Sequence, residues 1–170
     1  SPVRALSAVA DQALVTISGS GILGVPGMAA RTFAALQEAG ISVSLIAQAS
    51  SEYTIDFTMP ASVSTEAVQV LRRAFRAEIR TGEINGVEVR NRIAIIAIVG
   101  LRMAGHPGIA ARVFDALAEG GVNVVAIAQG SSERNISVAV DERSAAEGLR
   151  RIHDTFQLGK VGGGRPPRRA

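Results

Sequence analysis

Residues 19–55 of this chain read GSGILGVPGMAARTFAALQEAGISVSLIAQASSEYTI, and residues 100–136 read GLRMAGHPGIAARVFDALAEGGVNVVAIAQGSSERNI. The two stretches align without a gap at an offset of 81 residues, and about 20 of the 37 aligned positions are identical. The shared positions include Gly24/Gly105, Pro26/Pro107, Gly27/Gly108, Arg31/Arg112 and Gln48/Gln129. The chain is therefore an internal duplication.

Each copy predicts the same order of elements. A β-branched strand leads through a Pro-Gly loop into an amphipathic helix, and Pro suits the first helical turn because its missing N–H has no partner there. Two tightly joined strands and a second amphipathic helix follow. The predicted strands are 13–19, 41–48 and 53–59, then 92–100, 122–129 and 135–140, and the predicted second helices are 62–79 and 142–156.

Apolar residues mark the core-facing side of each predicted helix. They recur at i, i+4 and i+7 in the first helix of each copy and at three- or four-residue spacing in the second. Gly40 and Gly121 are expected to end the first helices in left-handed caps. The core-facing residues are Ala29, Phe33, Leu36, Val68, Leu71, Phe75 and Ile79, then Ala110, Phe114, Leu117, Leu149, Ile152 and Phe156.

The succession β-α-β-β-α needs one more strand to complete a ferredoxin-like βαββαβ unit. Residues 86–90 can close the first unit, and the unused strand 3–10 is expected to cross over and close the second. We therefore predict an α+β fold of two such modules, the first inserted in the second, with antiparallel sheets and helices on one face. The predicted domains are 11–91, then 3–10 plus 92–158, with a flexible tail at 159–170.

Composition excludes several classes of protein. Of 170 residues, 47% are hydrophobic and 19% charged, which favours a packed core over disorder. The chain contains no cysteine, so disulfides, thiolate zinc sites and cysteine nucleophiles are excluded, and a cytoplasmic location is expected. There is no membrane-spanning run and no signal peptide, and the start Ser1-Pro2 is consistent with a piece of a longer protein.

The net charge of +3 does not predict a nucleic-acid surface. Arg165, Arg168 and Arg169 all lie in the Gly/Pro-rich tail, and the rest of the chain is close to neutral. An RNA-binding module of the same βαββαβ plan would need aromatic residues displayed on its sheet. The chain has 4% aromatic residues, and most of its phenylalanines are predicted on the core faces of helices.

The segment GSGILG (19–24) has the spacing of a dinucleotide-binding turn, but its context does not fit that site. Such a turn belongs to a parallel βαβ unit with an acid about 20 residues on. Here the second strand ends Ile46-Ala47-Gln48 and turns back, and the other copy has Arg102 in place of Gly21. What the copies share is Gly-x-Pro-Gly at the mouth of a helix.

The shared elements fit a small zwitterion, although each also has a purely structural explanation. The Pro-Gly helix start offers free N–H groups to a carboxylate, or simply caps the helix. Residues 41–44 and 122–125 can satisfy an ammonium and a hydroxyl. Gln48 and Gln129 can donate and accept at once, or pair with the hairpin as ordinary strand-end residues.

Catalytic chemistry is not predicted. The Ser-Ser-Glu corners at 50–52 and 131–133 have no histidine partner in the motif and are typical of turns. His106 and His153 have no counterpart in the first copy and no ligand spacing. The arginines at 72, 73, 76, 150 and 151 are expected on solvated helix faces.

The repeated PG-x-A-A-R and A-Q-x-S-S-E motifs resemble the paired ACT domains at the C-terminal end of aspartokinases, over about residues 3–158. Aspartokinases phosphorylate aspartate with ATP, and their kinase domain, with its ATP and magnesium, is absent here. The resemblance implies a non-catalytic, cofactor-free regulatory region that binds an end-product amino acid and forms homodimers through ACT domains. It also implies a catalytic aspartokinase domain as partner, with no nucleic acid, membrane or metal site.

The resemblance implies an effector site at an interface between ACT domains. Lysine-sensing members often carry an acid where this chain has Ser44, so threonine is favoured, while lysine stays possible. The implied residues are Ile22, Gly24, Val25, Pro26, Gly27, Met28, Ala29, Ser42, Val43, Ser44 and Gln48; the second-module candidates are Gly105, Pro107, Gly108, Ile109, Asn123, Val124 and Gln129. Two alternatives remain: a ligand-free dimerisation module, and the regulatory segment of a bifunctional aspartokinase-homoserine dehydrogenase.

Overall fold

The computed structural model describes residues 2–22, 27–47, 53–100, 103, 107–129 and 135–159. The strands are β1 (Val3–Ser18), β2 (Leu45–Ala47), β3 (Thr54–Pro60), β4 (Gly86–Gly100), β5 (Val124–Gln129) and β6 (Asn135–Asp141). The helices are α1 (Met28–Glu38), α2 (Ser64–Ala74), α3 (Arg76–Thr81), α4 (Ile109–Glu119) and α5 (Ala145–Phe156), with short 3₁₀ turns at Ala61–Val63 and Glu142–Ser144.

The strands form one six-stranded antiparallel sheet in the order β2-β3-β1-β4-β6-β5. The first half of β1 pairs with the second half of β4, as in Val9 opposite Ile95. The second half of β1 pairs with the first half of β4, as in Val15 opposite Val89, and with β3 on its other side. We call residues 11–91 module 1, and residues 3–10 with 92–158 module 2.

The single sheet differs from the separate sheets expected from the sequence. Predicted strands 3–10 and 13–19 are one strand, and so are 86–90 and 92–100. Each long strand passes between the modules at an irregularity in its pairing. There Asp11 has φ 54° and Arg92 has φ 57°, and these residues are 81 positions apart. Such angles are uncommon outside glycine, so the duplication has preserved a strained backbone at both crossings.

Each module has its own hydrophobic core between its part of the sheet and its helices. Phe75 and Phe156 are buried as predicted, whereas Phe33 and Phe114 are half-buried at the margin of their cores. The helix face is centred one position earlier than predicted, because the buried residues of α1 and α4 begin at Met28 and Ile109.

A third apolar cluster joins the two modules. Leu14 of module 1 packs with Ile93 and Ala139 of module 2, and Val125 and Ala126 border them. Strands β2 and β5 contact each other although they stand at opposite ends of the strand order. The sheet therefore bends back on itself at the two crossings, with this cluster inside the bend.

Two of the predicted elements differ in extent, whereas the predicted helix caps are confirmed. The helix expected over 62–79 is divided into α2 and α3 at Phe75, whose φ of −109° and ψ of 24° leave the helical region. Of the strand expected over 41–48, the described residues show β2 at Leu45–Ala47, and Ile41 still completes the turn after α1 by donating to the Leu36 carbonyl. Gly40 and Gly121 have φ of 71° and 67°, which confirms the left-handed caps.

Candidate functional site

The start of α1 leaves backbone N–H groups without helical partners. Gly27 is the residue before the helix, and its φ of 88° is a left-handed conformation that favours glycine. The first helical hydrogen bond runs from the Arg31 N–H to the Gly27 carbonyl at 2.9 Å. The N–H groups of residues 28–30 precede that bond, so they point towards the helix end with the positive end of the helix dipole.

The start of α4 repeats this geometry in module 2. Gly108 has φ 89°, and the Arg112 N–H donates to its carbonyl at 3.0 Å. Within the described residues, neither helix has an acidic residue in its first turn or a side-chain cap. Pro107 precedes Gly108 outside the helix, so the expectation that Pro occupies the first turn is wrong here: the left-handed Gly108 separates it from the helix.

The described residues around the start of α1 are mostly apolar and buried. Ile22 and Met28 are buried and Ala29 is half-buried, so their backbone rather than their side chains can face a ligand. In module 2, Ile109 is buried in the same way. We call residues 22 and 27–29 the helix-start group. The predicted site residues Gly24, Val25, Pro26, Gln48 and Gly105 lie outside the described residues.

The first glycine of GSGILG has a structural role. The Gly19 N–H donates to the Tyr53 carbonyl at 2.8 Å, and a Cβ at Gly19 would lie 2.3 Å from the Glu83 carbonyl oxygen. The Gly21 N–H donates to the Glu83 carbonyl at 2.8 Å. These glycines therefore let the loop before β4 pass close to the end of β1, which gives them a packing role independent of any bound pyrophosphate.

The candidate residues before β2 form a second group, residues 42–44, which we call the strand-start group. Ser42 and Ser44 are exposed and Val43 is half-buried against the module 1 core. The Ser44 N–H donates to the Thr58 carbonyl at 2.8 Å, and its hydroxyl donates to Oε1 of Gln12 at 3.0 Å. Because the Ser44 hydroxyl donates inward, its lone pairs remain available as acceptors.

Sequence reasoning missed Gln12. This side chain is buried, with 5% of its surface exposed, and its amide Nε2 donates to the Ala10 carbonyl at 3.3 Å. The 81-residue repeat offered a signal, because Gln12 corresponds to Ile93 and is thus polar where the other copy is apolar. Gln12 holds the Ser44 hydroxyl in position at the junction between the modules.

Within one chain, the helix-start group and the strand-start group of module 1 lie at opposite ends of the strands, separated along the strand direction. Ser44 is level with Gln12, which stands six residues before the last residue of β1, Ser18. At about 3.4 Å per residue this separation is roughly 20 Å, and α1 begins beyond the Ser18 end. Within a single copy, the start of α1 and the start of β2 are therefore not neighbours.

Module 2 has the same backbone but different side chains at the strand start. Asn123 is exposed and Val124 is half-buried. Gln129 is the last residue of β5. The hydrogen-bonded positions of module 1 have apolar counterparts in module 2; the corresponding pairs are Gln12/Ile93, Ser44/Val125 and Thr58/Ala139.

An arginine fastens the first helix of each module to the second. The Arg31 guanidinium lies 4.7 Å from the centroid of the Phe75 ring and donates to the Ala74 carbonyl at 2.9 Å. Arg112 lies 4.5 Å from the Phe156 ring in the same way. Only Arg31 has in addition an ion pair among the described residues, with Glu78, and that hydrogen bond holds the pKa of Glu78 below its usual range.

The described residues contain no arrangement of side chains that suggests catalysis. No three His, Asp or Glu side chains among them meet as a metal site. The most strongly shifted carboxyl is Glu147 on the exposed side of α5, where hydrogen bonds from Arg150 and Arg151 lower its pKa to about 2. None of the helices in the described part of the chain is long and apolar enough to cross a membrane.

Comparison with known proteins matches this geometry to one family. An ACT domain profile matches the chain twice, over residues 15–75 and 96–156. The bifunctional aspartokinase/homoserine dehydrogenase 2, chloroplastic, of Zea mays is 42% identical over 159 residues, which cover 94% of this chain. The chain spans 17% of the length of that curated relative, whose catalytic part lies outside the matched stretch.

Solved structures give the same result. The regulatory subunit of aspartate kinase from Thermus flavus superposes with a TM-score of 0.78 at 30% identity, covering 92% of this chain and 99% of that one. E. coli aspartokinase III in complex with lysine and aspartate gives a TM-score of 0.70 at 26% identity, covering 94% of this chain and 34% of that one. The chain therefore belongs to the ACT domain family, as the tandem ACT regulatory region of an aspartokinase or a bifunctional aspartokinase/homoserine dehydrogenase.

Proposed function

We propose that this chain senses a free amino acid, threonine in preference to lysine, at a site that a second copy of the chain completes. The observation that carries the proposal is the separation of the helix-start group from the strand-start group in one copy. Each group has half of the chemistry that an amino acid needs. A homodimer that brings the groups of two copies together supplies the whole site.

The outer strands of the sheet support such a dimer. Strands β2 and β5 are the last strands at either end, and among the described residues neither is hydrogen-bonded to another strand on its outer side, although the two contact each other. Ile46 and Ile127 stand at equivalent positions on them and are 48% and 49% exposed. If the outer strands of two copies align antiparallel, the start of one strand lies beside the end of the other. The helix-start group of one copy then meets the strand-start group of its partner.

The chemistry of the two groups fits an α-amino acid. The free N–H groups at the start of α1 suit a carboxylate. The Ser44 hydroxyl, held by Gln12, can accept from an ammonium, and the Ser42 hydroxyl can pair with a side-chain hydroxyl. Residues 41–44 contain no carboxylate that would hold the second ammonium of lysine. This favours threonine here, although the E. coli aspartokinase III structure contains lysine.

In the whole protein, effector binding would act on a catalytic domain. The effector would tighten one arrangement of the dimer, and that arrangement would bias an attached kinase domain against phosphorylating aspartate. Such control requires different effector affinities in the two arrangements, typically worth about 1–3 kcal/mol of coupling. ATP and magnesium would belong to the kinase domain.

Calorimetric titration of this chain with threonine and with lysine tests the assignment, with size-exclusion chromatography as a readout of dimerisation. We expect heat with threonine and a concentration-dependent dimer that threonine stabilises. Ile46→Lys should lose both. Val9→Lys is the matched control, because Val9 is similarly exposed, at 53%, but lies on the inner strand β1 rather than on an outer strand. No heat with either amino acid at millimolar concentration would leave the ligand-free dimerisation module as the function.

A pair of exchanges locates the site in one module. Ser44→Val gives module 1 the residue of module 2, and we expect threonine affinity to fall by about 3- to 10-fold, the worth of one hydrogen bond. Val125→Ser makes the reverse change and should leave the affinity within about twofold. Equal losses from both exchanges would show that both modules contribute a site.

The bifunctional alternative has an observation in its favour. The maize bifunctional relative is 42% identical to this chain, compared with 30% for the Thermus flavus regulatory subunit. A reading frame that encodes a kinase before this region and a homoserine dehydrogenase after it would establish that form. A frame that encodes the kinase alone would establish a monofunctional aspartokinase.

A further inference from the structure

An open groove of about 600 Å³ runs along the β4 side of module 1, between the α2–α3 segment and the first residues of β4. It is lined by three guanidinium groups, from Arg72, Arg76 and Arg80, and by one carboxylate, from Glu88. Among the described residues, none of the three arginines forms an ion pair. We call this feature the arginine groove. Its positive charge exceeds what the surrounding chain neutralises.

The strand that forms one wall of the arginine groove has a free side. β1 covers one side of β4 over residues 86–90, whereas β6 pairs with β4 only from residue 93 onwards. The Val87 carbonyl accepts from Nη2 of Arg72 at 3.1 Å and so points into the groove. In an antiparallel ladder the N–H of the same residue, and both groups of Val89, point the same way. Besides the Val87 carbonyl, which Arg72 already engages, the wall therefore presents the N–H groups of Val87 and Val89 and the Val89 carbonyl to another strand.

The spacing of the arginines matches that of an extended chain. The three arginines are four residues apart along consecutive helices, which is about 6 Å per step at 1.5 Å per residue. Alternate residues of a strand are about 6.8 Å apart and point to the same face. A strand lying along β4 would thus place every second side chain near one guanidinium. Carboxylates are the side chains that a guanidinium binds best, through paired hydrogen bonds.

We propose that the arginine groove binds an extended segment of a protein partner, with Asp or Glu at alternate positions, as an additional strand beside β4. Charge complementarity selects this occupant. The C-terminal residues 160–170 of this chain contain Lys160 and three arginines and no acid, so they would be repelled. The site is separate from the proposed effector site, which uses the opposite edge of module 1.

Among the described residues, module 2 has no arginine at the positions that correspond to Arg72 and Arg76. Its corresponding hollow is lined by His153, Asp154, Gln157 and Gly159. His153 and Gln157 stand where module 1 has Arg72 and Arg76. The duplicated backbone therefore provides a matched surface without the arginines, and α5 provides a control arginine, Arg150.

Fluorescence anisotropy of the full chain with a labelled eight-residue peptide of alternating Glu and Thr tests the proposal. We expect saturable binding that the double change Arg76→Glu with Arg80→Glu weakens by about tenfold or more, the worth of a lost charge-assisted hydrogen bond. Arg150→Glu should change the affinity by less than about twofold. If thermal melts show that the double reversal does not fold, Arg76→Gln with Arg80→Gln replaces it.

Two modified peptides separate strand addition from simple charge attraction. N-methylation of all Glu nitrogens or of all Thr nitrogens blocks the hydrogen bonds on one side of the peptide. We expect one of the two modified peptides to lose binding about tenfold and the other to retain it, because only one side of the peptide pairs with β4. The proposal is overturned if both bind like the parent, if a block peptide of four Glu and four Thr binds equally, if single-stranded DNA binds better, or if no peptide binds.

Discussion

Module 1 and module 2 share a backbone plan but differ in the polarity of two surfaces. Positions that shape the backbone are retained, such as Gly27 with Gly108 at the helix starts. Among the described residues, only module 1 has the Gln12–Ser44 hydrogen bond at the junction and the arginine groove beside β4. The duplication has therefore preserved what folds each module and diversified what each module can bind, which is why we place the effector chemistry in module 1.

The largest expected effect tests whether the two cores are equivalent. Phe75 and Phe156 are nearly fully buried at corresponding positions, each beneath an arginine. We expect Phe75→Ala and Phe156→Ala each to lower the free energy of unfolding by about 3–5 kcal/mol, because each removes a ring and leaves a cavity. Urea unfolding followed by circular dichroism measures both.

Tyr53→Ala serves as the control for these two variants. Tyr53 is 53% exposed, so its loss should cost less than about 0.5 kcal/mol. Losses for Phe75 and Phe156 that differ by more than about 2 kcal/mol would contradict the equivalence of the cores.

Sequence reasoning predicts the retained features well, because they leave a periodic signal. The spacing of residues such as Leu36, Leu71 and Ile152 predicts the buried helix faces, and all three are buried. The second βαββαβ unit needs a closing strand, which predicts that the unused strand 3–10 pairs within module 2. In the structure this segment pairs with the second half of β4. The family and the fold follow from these signals.

The features that sequence reasoning missed depend on three-dimensional distances. No periodicity indicates that two predicted strands continue through Asp11 into one, because the left-handed conformation there is imposed by the crossing between modules. Gln12 looks like an ordinary strand residue until Ser44 is placed beside it. The separation of Ser44 from the start of α1 likewise appears only with the strand register.

The second prediction concerns Thr58 and Ala139, the polar and apolar counterparts at the junction between the modules. Thr58 is fully buried, and its hydroxyl has no hydrogen-bond partner among the described residues, while its counterpart Ala139 is fully buried in the apolar cluster. Ala139→Thr adds a hydroxyl and a methyl group to a packed site, and we expect a loss of about 2–3 kcal/mol. Thr58→Val removes the unpaired hydroxyl at nearly constant volume and should gain about 1 kcal/mol. Thermal and urea unfolding measure both changes. A loss of more than 1 kcal/mol from Thr58→Val would instead reveal a bound partner for this hydroxyl.

The third prediction concerns the two fastening arginines. Arg112→Met should cost about 1 kcal/mol, because it removes one carbonyl hydrogen bond and one cation–π contact. Arg31→Met should cost roughly 0.5–1 kcal/mol more, because it also leaves Glu78 without its ion pair; the half-exposed position of Arg31 keeps this increment small.

The pH dependence of that difference identifies its source. The folded-state pKa of Glu78 is lowered, so its contribution to stability is present above the unfolded-state pKa and is lost as pH falls through the folded-state value. The two arginine variants should therefore differ near neutral pH, and the difference should be lost in acid, as pH falls through the lowered folded-state pKa of Glu78. Glu78→Gln should remove the difference at every pH. A difference that persists in acid would assign it to packing rather than to the ion pair.

The smallest expected effect lies at the two crossings between the modules. Asp11 and Arg92 occupy the left-handed region at equivalent positions, and glycine would relieve that strain while adding freedom to the unfolded chain. Asp tolerates this region better than Arg does, because its short side chain bonds to the nearby backbone. We therefore expect Arg92→Gly to raise the free energy of unfolding by about 0.5–1 kcal/mol, and Asp11→Gly to change it by less than about 0.5 kcal/mol.

Urea unfolding of the two variants compares the strain at the two crossings. Both substitutions keep the backbone N–H, including the N–H of residue 11 that donates to Glu142 at 3.2 Å, so no backbone hydrogen bond is lost. A larger gain at Asp11 than at Arg92 would show that module 1, not module 2, bears the greater strain where the strands cross.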